Sequence, residues 1–284
     1  MNIFLNKKAL YTSLFILIAG NVFIWQAILF GENKNLELYF LSVGQGDSQL
    51  INFPGGVQIL VDGGPDAKVL NELARAMPEM DRRIELVIAT HPELDHFGGL
   101  IDVLENYEVG VVITNGRQGT AKAYLDFEKV IAEKQIPVTR LFAGDKITYE
   151  SAELEILWPT VAAARGKKTN ESGIVFMLKN GGLRALYTAD IGFETEEALR
   201  RKYDLDADIL KVGHHGSKYS SDKKFLEEVS PAISVIGVGK NSYGHPTGAA
   251  LGRLADVRSQ IFRTDNFGTI KLVFADSFLR AFAR

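Results

Sequence analysis

The chain reads as an α/β protein, a four-layer αββα sandwich of the mixed α+β kind, preceded by a transmembrane helix. Three observations predict this. Short strand-like runs joined by glycine turns open the main body, strand–helix alternation follows, and a β hairpin and further strand–helix units close it. All five histidines fall in three short clusters, each soon after an apolar run that reads as a strand. A nearly unbroken apolar stretch, residues 10–30, stands before all of this.

That stretch has only Thr12, Ser13, Asn21 and Gln26 as clearly polar interruptions and no charge. As a helix it spans roughly 31 Å, enough to cross a bilayer core. Lys7 and Lys8 precede it, while Glu32, Lys34 and Glu37 follow without a positive excess. The positive-inside rule then predicts a cytoplasmic N-terminus and an outward-facing main domain. The competitor is a cleaved signal peptide, whose apolar region is usually shorter and ends in a small-x-small site that is not clean here. The expectation is an uncleaved anchor over residues 1–31 and one large domain over 36–284.

The domain opens with strands at 36–41, 48–53 and 58–61, separated by Gly44-Gln45-Gly46-Asp47 and Pro54-Gly55-Gly56, the pattern of an antiparallel meander. A helix at 67–77 follows. Strand–helix alternation then reads as 84–90, a helix from Gly99, 110–114 and a helix at 121–134. Residues 141–158 return to β structure and 161–172 form a polar loop. Lys179-Asn180-Gly181-Gly182 joins strands 173–178 and 183–188 in a hairpin. Helices at 194–202, 222–229 and 247–257 alternate with strands at 209–212, 233–238, near Ile261 and at 270–274.

Composition excludes some classes of chemistry. The 284 residues contain no Cys, so there is no disulfide, thiolate ligand or cysteine nucleophile. The formal net charge of −3 predicts no broad basic face, so a polyanion must be met by local cations. Arg165, Lys167 and Lys168, in the polar loop ahead of the hairpin, and Lys211, just before the histidine pair, are the candidates for that contact.

The richest chemistry lies in His91-Pro92-Glu93-Leu94-Asp95-His96, between a buried strand and a helix. His91 and Glu93 are two apart and point the same way on extended chain, while Asp95 and His96 turn toward a second point. Two divalent ions side by side, each taking one pair, fit this spacing. A loop that only capped its helix would need one such residue, not four. Asp190 ends the strand before it, where a carboxylate can bridge two cations. Ile191-Gly192-Phe193 separate it from the next helix, which makes a capping role awkward. Adjacent His214 and His215 diverge on extended backbone, so one can bind metal while the other faces substrate. His245, before Pro246, suits either a metal or a phosphate.

These residues carry a resemblance. His91-Pro92-Glu93-Leu94-Asp95-His96 resembles the first metal motif of the metallo-β-lactamase fold, whose third residue is usually His, or Asp in one branch. Val43-Gly44-Gln45-Gly46-Asp47-Ser48, the segment from Lys211 to Ser217, Tyr243-Gly244-His245-Pro246 and Arg263-Thr264-Asp265 resemble that same branch, the hydrolase domain of ComEC-type competence proteins, which take up DNA. The resemblance spans about residues 36–274. It implies the metallo-β-lactamase sandwich, a two-metal centre and phosphodiester cleavage. Carried over, it makes His91, Glu93, Asp95, His96, Asp190 and His215 metal ligands and puts His214, His245 and Lys211 near the substrate.

Glu93 departs from the Asp usual in the branch. No His lies between His96 and His214, so Asn170 or Ser172 stands where the wider fold has another ligand. The multi-helix channel of the competence proteins has one apolar segment in its place. The expectation is therefore hydrolysis of nucleic-acid phosphodiesters by a membrane-anchored enzyme beside a separate uptake channel. Asp62 would orient ligands, and the ions would be Zn²⁺ or Mn²⁺. The alternatives are a small-molecule phosphodiesterase or lactonase on the same fold, and a non-catalytic DNA-binding module.

Overall fold

The computed structural model describes residues 7–30, 35–275 and 278–283. In chain order the strands are β1 (Leu36–Phe40), β2 (Gln49–Asn52), β3 (Gln58–Val61), β4 (Arg83–Ala89), β5 (Glu108–Thr114), β6 (Val138–Arg140), β7 (Lys146–Tyr149) and β8 (Ala152–Trp158). They continue as β9 (Val175–Asn180), β10 (Leu183–Tyr187), β11 (Ile209–Lys211), β12 (Ile233–Ile236), β13 (Gln260–Arg263), β14 (Ile270–Ala275) and β15 (Phe278–Ala283). The helices are α1 (Lys7–Phe30), α2 (Lys68–Ala76), α3 (Leu94–Asn106), α4 (Lys122–Glu133), α5 (Val161–Ala164), α6 (Phe193–Arg200), α7 (Lys223–Val229), α8 (Gly248–Asp256) and α9 (Thr264–Phe267).

Two sheets result, ordered β15-β14-β1-β2-β3-β4-β5-β6 and β13-β12-β11-β10-β9-β8-β7. Period-two alternation sends each strand's side chains to two different cores. Leu38, Phe40, Ile51, Ile59 and Val61 meet Leu154, Ile156, Phe176, Ala185 and Tyr187 between the sheets. Their neighbours Tyr39, Leu50, Leu60 and Val87 face outward and are covered by Val69 and Leu73 of α2, Phe97 and Leu100 of α3, and Phe127 of α4. On the other side Met177, Leu186, Leu210 and Ile236 pack under Leu199 of α6, Phe225 and Leu226 of α7, and Leu254 of α8. This is the αββα sandwich that the order of elements predicts.

Each sheet has a parallel half. β3, β4, β5 and β6 run parallel, as do β10, β11, β12 and β13. Loops at the carboxyl ends of parallel strands gather at one edge, where ligand sites form. Asp62 follows β3, His91 follows β4, Asp190 follows β10 and the histidine pair follows β11. The crossover order thus carries residues far apart in sequence to one rim.

The structure corrects three sequence expectations. α3 begins at Leu94, not Gly99. Gly98-Gly99 reads as a breaker but lies inside the helix, because the loop after β3 crosses it at backbone contact. A Cβ on Gly99 would stand 2.2 Å from the Gly63 carbonyl oxygen, and one on Gly98 2.3 Å from that of Pro65. Asp95 and His96 therefore belong to the first turn of a rigid helix. Second, residues 161–172 are not wholly irregular, since Thr160 caps the single turn α5 through its side chain. Third, β15 goes unforeseen because Phe278-Leu279-Arg280-Ala281-Phe282-Ala283 does not alternate cleanly, yet it pairs along all of β14.

The N-terminal apolar run is helical in backbone, and its side chains are described at residues 7–22 and 25, all exposed. Among the described residues no helix is long and apolar enough to cross a membrane. Glu32 and Lys34, used in the topology reading, lie outside the described residues, as do residues 1–6.

The crossing of α3 gives a direct test. Gly99→Ala should destabilise the domain by about 3 kcal/mol or more, because the clash is with backbone and not a movable side chain. Gly252→Ala, in α8 with open space around its Cβ, should instead stabilise by about 0.5–1 kcal/mol. Denaturant midpoints of the two variants against the parent measure both. Equal effects of the same sign would refute the account of α3.

Candidate metal centre

The loop after β4 shows how the centre is built. Glu93 occupies the N-cap position of α3, yet its side chain makes no capping bond. The loop is thus not spending its carboxylates on the helix end. Asp62, just past β3, accepts from the Thr90 backbone N–H at 2.8 Å on Oδ1 and from the Thr90 hydroxyl at 2.8 Å on Oδ2. The same Oδ2 lies 2.8 Å from His96 Nδ1. Asp62 therefore fixes the ring of His96 and holds the Nδ1 proton, which leaves Nε2 as the ligating atom. Thr90 Oγ1 is also 3.0 Å from His91 Nδ1 and orients that ring in the same way.

Across the sandwich, β10 and β11 deliver the opposing groups. His96 Nε2 stands 3.4 Å from Asp190 Oδ1. His215 Nε2 stands 3.5 Å from Asp190 Oδ2 and 3.2 Å from Asp95 Oδ2. The Gly237 carbonyl accepts from His215 Nδ1 at 2.8 Å and sets its tautomer. Asp190 caps nothing, since Gly192 is the N-cap residue of α6.

Asp47, Asp190, His96 and His215 are all buried, and each offers a ligand atom within 4.8 Å of the others. Buried polar atoms normally have partners. Here Asp47 Oδ1, Asp190 Oδ1, His96 Nε2 and His91 Nε2 have none. Carboxylate and imidazole atoms left bare and converging on one point fit a divalent cation. The chain thus has a candidate metal site of Asp and His residues.

Asp47 is the residue that the sequence reading missed as a ligand. It sits in the turn after β1, inside a segment singled out for its resemblance but with no role given to its carboxylate. The overlooked signal is Lys211, a lysine inside the strand β11 that is only 2% exposed. A buried ammonium needs an anion. Lys211 Nζ donates to Asp47 Oδ2 at 2.5 Å and to the Val212 carbonyl at 2.8 Å. The structure therefore places Lys211 behind the centre and not at the substrate.

The other expected residues distribute as follows. His91 packs beside His96, ring centroids 4.1 Å apart, with its bare Nε2 buried. Asp95 holds His215. Glu93 lies on the cleft wall outside the four-residue cluster. His214 reaches the rim, its Nε2 3.9 Å from Asp190 Oδ2 and 3.4 Å from Asn170 Nδ2. His245 stands beside it, rings 5.6 Å apart. Asn170 thus sits in the cleft, whereas Ser172 is buried and holds Asn115. Arg165, Lys167 and Lys168 are exposed, and Lys168 pairs with Glu194 at 2.7 Å.

His214 and His215 are not extended, as the sequence reading assumed. Both adopt left-handed backbone, φ 49° and 52°, as do Ala189 at 45° and Asp62 at 57°. Such conformations cost about 1–3 kcal/mol each and persist where surroundings enforce them. Four of the nine left-handed non-glycine residues among those described thus gather around this one rim, the candidate site.

The charges explain how the cluster survives burial. Burial alone would lower the pKa of His215, but Asp190 and Asp47 outweigh it and raise it to about 10. His96 is held well above its ordinary value because Asp190 and Asp62 overcome burial. Burial would raise Asp190, yet His215 and His96 hold it well below the usual carboxylate range. Asp95, likewise opposed by burial, is drawn down to about 2 by His215 and His96. His91 goes the other way, pushed to about 3 by burial and the adjacent His96, so it stays a neutral donor. Without a cation, two imidazolium ions must neutralise the carboxylates.

Two expectations follow from these shifts. His215 titrates near 6.5 unfolded and about 10 folded, so its stabilisation is complete below pH 6.5 and is lost as pH rises toward 10. Chelator-treated protein should therefore melt at falling temperature across that window, while metal-loaded protein should not. Asp190→Ala should lower bound metal per chain, measured by elemental analysis after dialysis. A variant that retains the parent's metal would remove Asp190 from the ligand set.

Comparison with known proteins agrees with this geometry. Residues 41–240 match the metallo-beta-lactamase superfamily. ComE operon protein 3 of Bacillus subtilis is 28% identical over 83% of this chain and 32% of its own length. Competence protein ComA of Neisseria gonorrhoeae is 27% identical over 80% of this chain and 31% of its own. The chain thus spans about a third of the curated relatives it matches. The crystal structure of YhfI, a metallo-beta-lactamase fold protein of Bacillus subtilis, superposes with a TM-score of 0.56 at 14% identity, covering 82% of this chain and 98% of that one. The chain belongs to the metallo-beta-lactamase superfamily of metallo-hydrolases and is a homologue of ComEC-type competence proteins.

Proposed function

We propose that this chain is a membrane-anchored, outward-facing metal-dependent hydrolase that cleaves phosphodiesters of nucleic acid. The observation that carries the reading is the set of bare, buried Asp and His atoms, of which Asp190 also lines an open cleft of about 460 Å³. Gln45, Glu93, Asn170, His214, Tyr243 and His245 line that cleft above Asp190. It adjoins a second depression that shares Asn170 and His214 and reaches Lys168 and Tyr219. A third continues through Lys168 to Lys167 and Trp158. A trough running past the centre suits an extended chain better than a compact small molecule.

His91, Asp95, His96, Asp190 and His215, with Asp47 and with Glu93 at the edge, would hold two divalent ions, Zn²⁺ or Mn²⁺. The hard carboxylate share makes Mn²⁺ as suitable as Zn²⁺. Such ions supply Lewis acidity toward a phosphoryl oxygen and a nucleophile at neutral pH. The protein's own part is positional. Asp62 and the Gly237 carbonyl fix the two imidazoles on opposite sheets. His214 and His245 stand at the rim, where a leaving oxygen needs a proton. Burial and His214 lower the pKa of His245, so it is neutral at pH 7 and able to accept and return a proton.

The similarity to competence proteins supports nucleic acid as substrate and a separate uptake channel as partner. Exposed Leu10, Phe15, Leu17, Ile18 and Trp25 on α1 support the anchor, since no described face of that helix is polar enough to rest in water. Metal-reconstituted protein should hydrolyse single- or double-stranded DNA in preference to a small chromogenic diester. Turnover of the small diester alone would favour the small-molecule enzyme, and DNA binding without turnover the non-catalytic module.

The loop cations give a sharper test. Replacing Arg165, Lys167 and Lys168 together with Ala should make the salt dependence of DNA cleavage shallower, by about one unit of slope for each phosphate deprived of its cation. Hydrolysis of a small diester, which has no flanking phosphates, should barely change. An unaltered DNA salt slope would reject the loop as a binding surface.

A further inference from the structure

We infer that the domain rests on the bilayer through the end of its first sheet that carries Leu36 and Phe278, and that the metal centre opens at the opposite end, into water. The inference rests on the reading of residues 10–30 as an anchor and adds to it an orientation. Helix α1 ends at Phe30 and β1 begins at Leu36. The connection between them reaches at most roughly 20 Å, whatever its path. The start of β1 must therefore lie close to the surface from which the anchor emerges.

Strand register identifies what else lies at that end. Leu36 pairs with Phe274, Phe274 with Leu279, and Ala275 with Phe278. The second sheet agrees, because a Cβ on Gly181, in the β9–β10 turn, would touch the Phe274 ring at 3.4 Å. β3, β4, β10 and β11 all start at this end and run away from it. They release Asp62, His91, Asp190 and His215 only after their last residues. Seven-residue β4 alone sets the two ends about 20 Å apart.

The anchor-side surface has the chemistry of a membrane interface. β15 is an edge strand, paired with β14 and with no other described strand. Residues 278, 280 and 282 share one face. Phe278, at this end, is 66% exposed and Arg280 follows it on the same face, while Phe282, opposite Lys271, lies farther along the edge toward the cleft end. An exposed aromatic ring beside a long cation suits the boundary between headgroups and acyl chains.

The consequence for specificity is direct. A phosphodiester in a lipid of the anchoring bilayer lies on the wrong side of the sandwich and cannot reach the cleft. Substrate enters from the aqueous side, which fits a soluble nucleic acid and excludes a phosphorylcholine ester in that membrane.

The absence of Cys makes the test clean, since a single introduced cysteine is the sole labelling site. The full chain carrying Phe278→Cys, Arg280→Cys or Tyr243→Cys is labelled with an environment-sensitive fluorophore. Each is reconstituted into phosphatidylcholine–phosphatidylglycerol vesicles containing spin-labelled lipid. Positions 278 and 280 should be quenched at least several-fold more than 243, at the cleft rim. If the chain fails to float with vesicles, the anchor reading falls and this inference with it. If it floats but position 243 is quenched as strongly as 278, or if neither is quenched, the anchor stands and the orientation is refuted.

Discussion

Everything in this domain answers to one electrostatic constraint. Asp47 and Asp190 are buried in the loops at the rim of the sandwich, and an isolated buried carboxylate is too costly to survive. Each must be met by a cation. Lys211 meets Asp47, while His96 and His215 meet Asp190 from opposite sheets. The parallel halves of the sheets, the crossing of α3 by the loop after β3 and the left-handed turns at 189 and 214–215 all serve to bring these groups together. A structure that merely needed to be stable would fill this space with leucine. The cost of keeping it charged is intelligible only if something of opposite charge is to be received there.

The fold was largely legible because period-two alternation and glycine turns report local geometry faithfully. β3 was read with the bounds it has, and most other strands and helices within a residue or two. The start of α3 was not legible. Gly98-Gly99 breaks helices by propensity, and only a distant segment, Gly63 to Asp66, explains why glycine is required inside one. β15 was hidden for a related reason: an edge strand with a face of mixed character lacks the pattern that a half-buried strand shows.

The site was legible in its residue types more than in its assignment. Clustered histidines and strand-end carboxylates pointed to the right rim. What spacing could not show was which partner each group had already taken. The resemblance and its place before the histidine pair put Lys211 near the substrate, yet alternation along β11 turns it toward Asp47. Asp47 was passed over because one carboxylate in a glycine-rich turn looks like turn chemistry. Their pairing crosses from one sheet to the other, beyond the range of any local pattern.

The pairing of β1 with β14 bears on how the domain comes into being. β1 is an inner strand of its sheet, with β2 on one side and β14 on the other. Yet β14 lies near the far end of the chain, and Leu36 has no partner on that side until Phe274 has been made. During synthesis the meander β1-β2-β3 can form early, but it waits with an open apolar edge while more than two hundred residues follow. An open edge of that kind invites pairing with other chains. The late hairpin of β14 and β15 then acts as a closing seal, and a ribosome stalled or a chain cut before it would leave a domain with its cores largely present and its sheet unfinished.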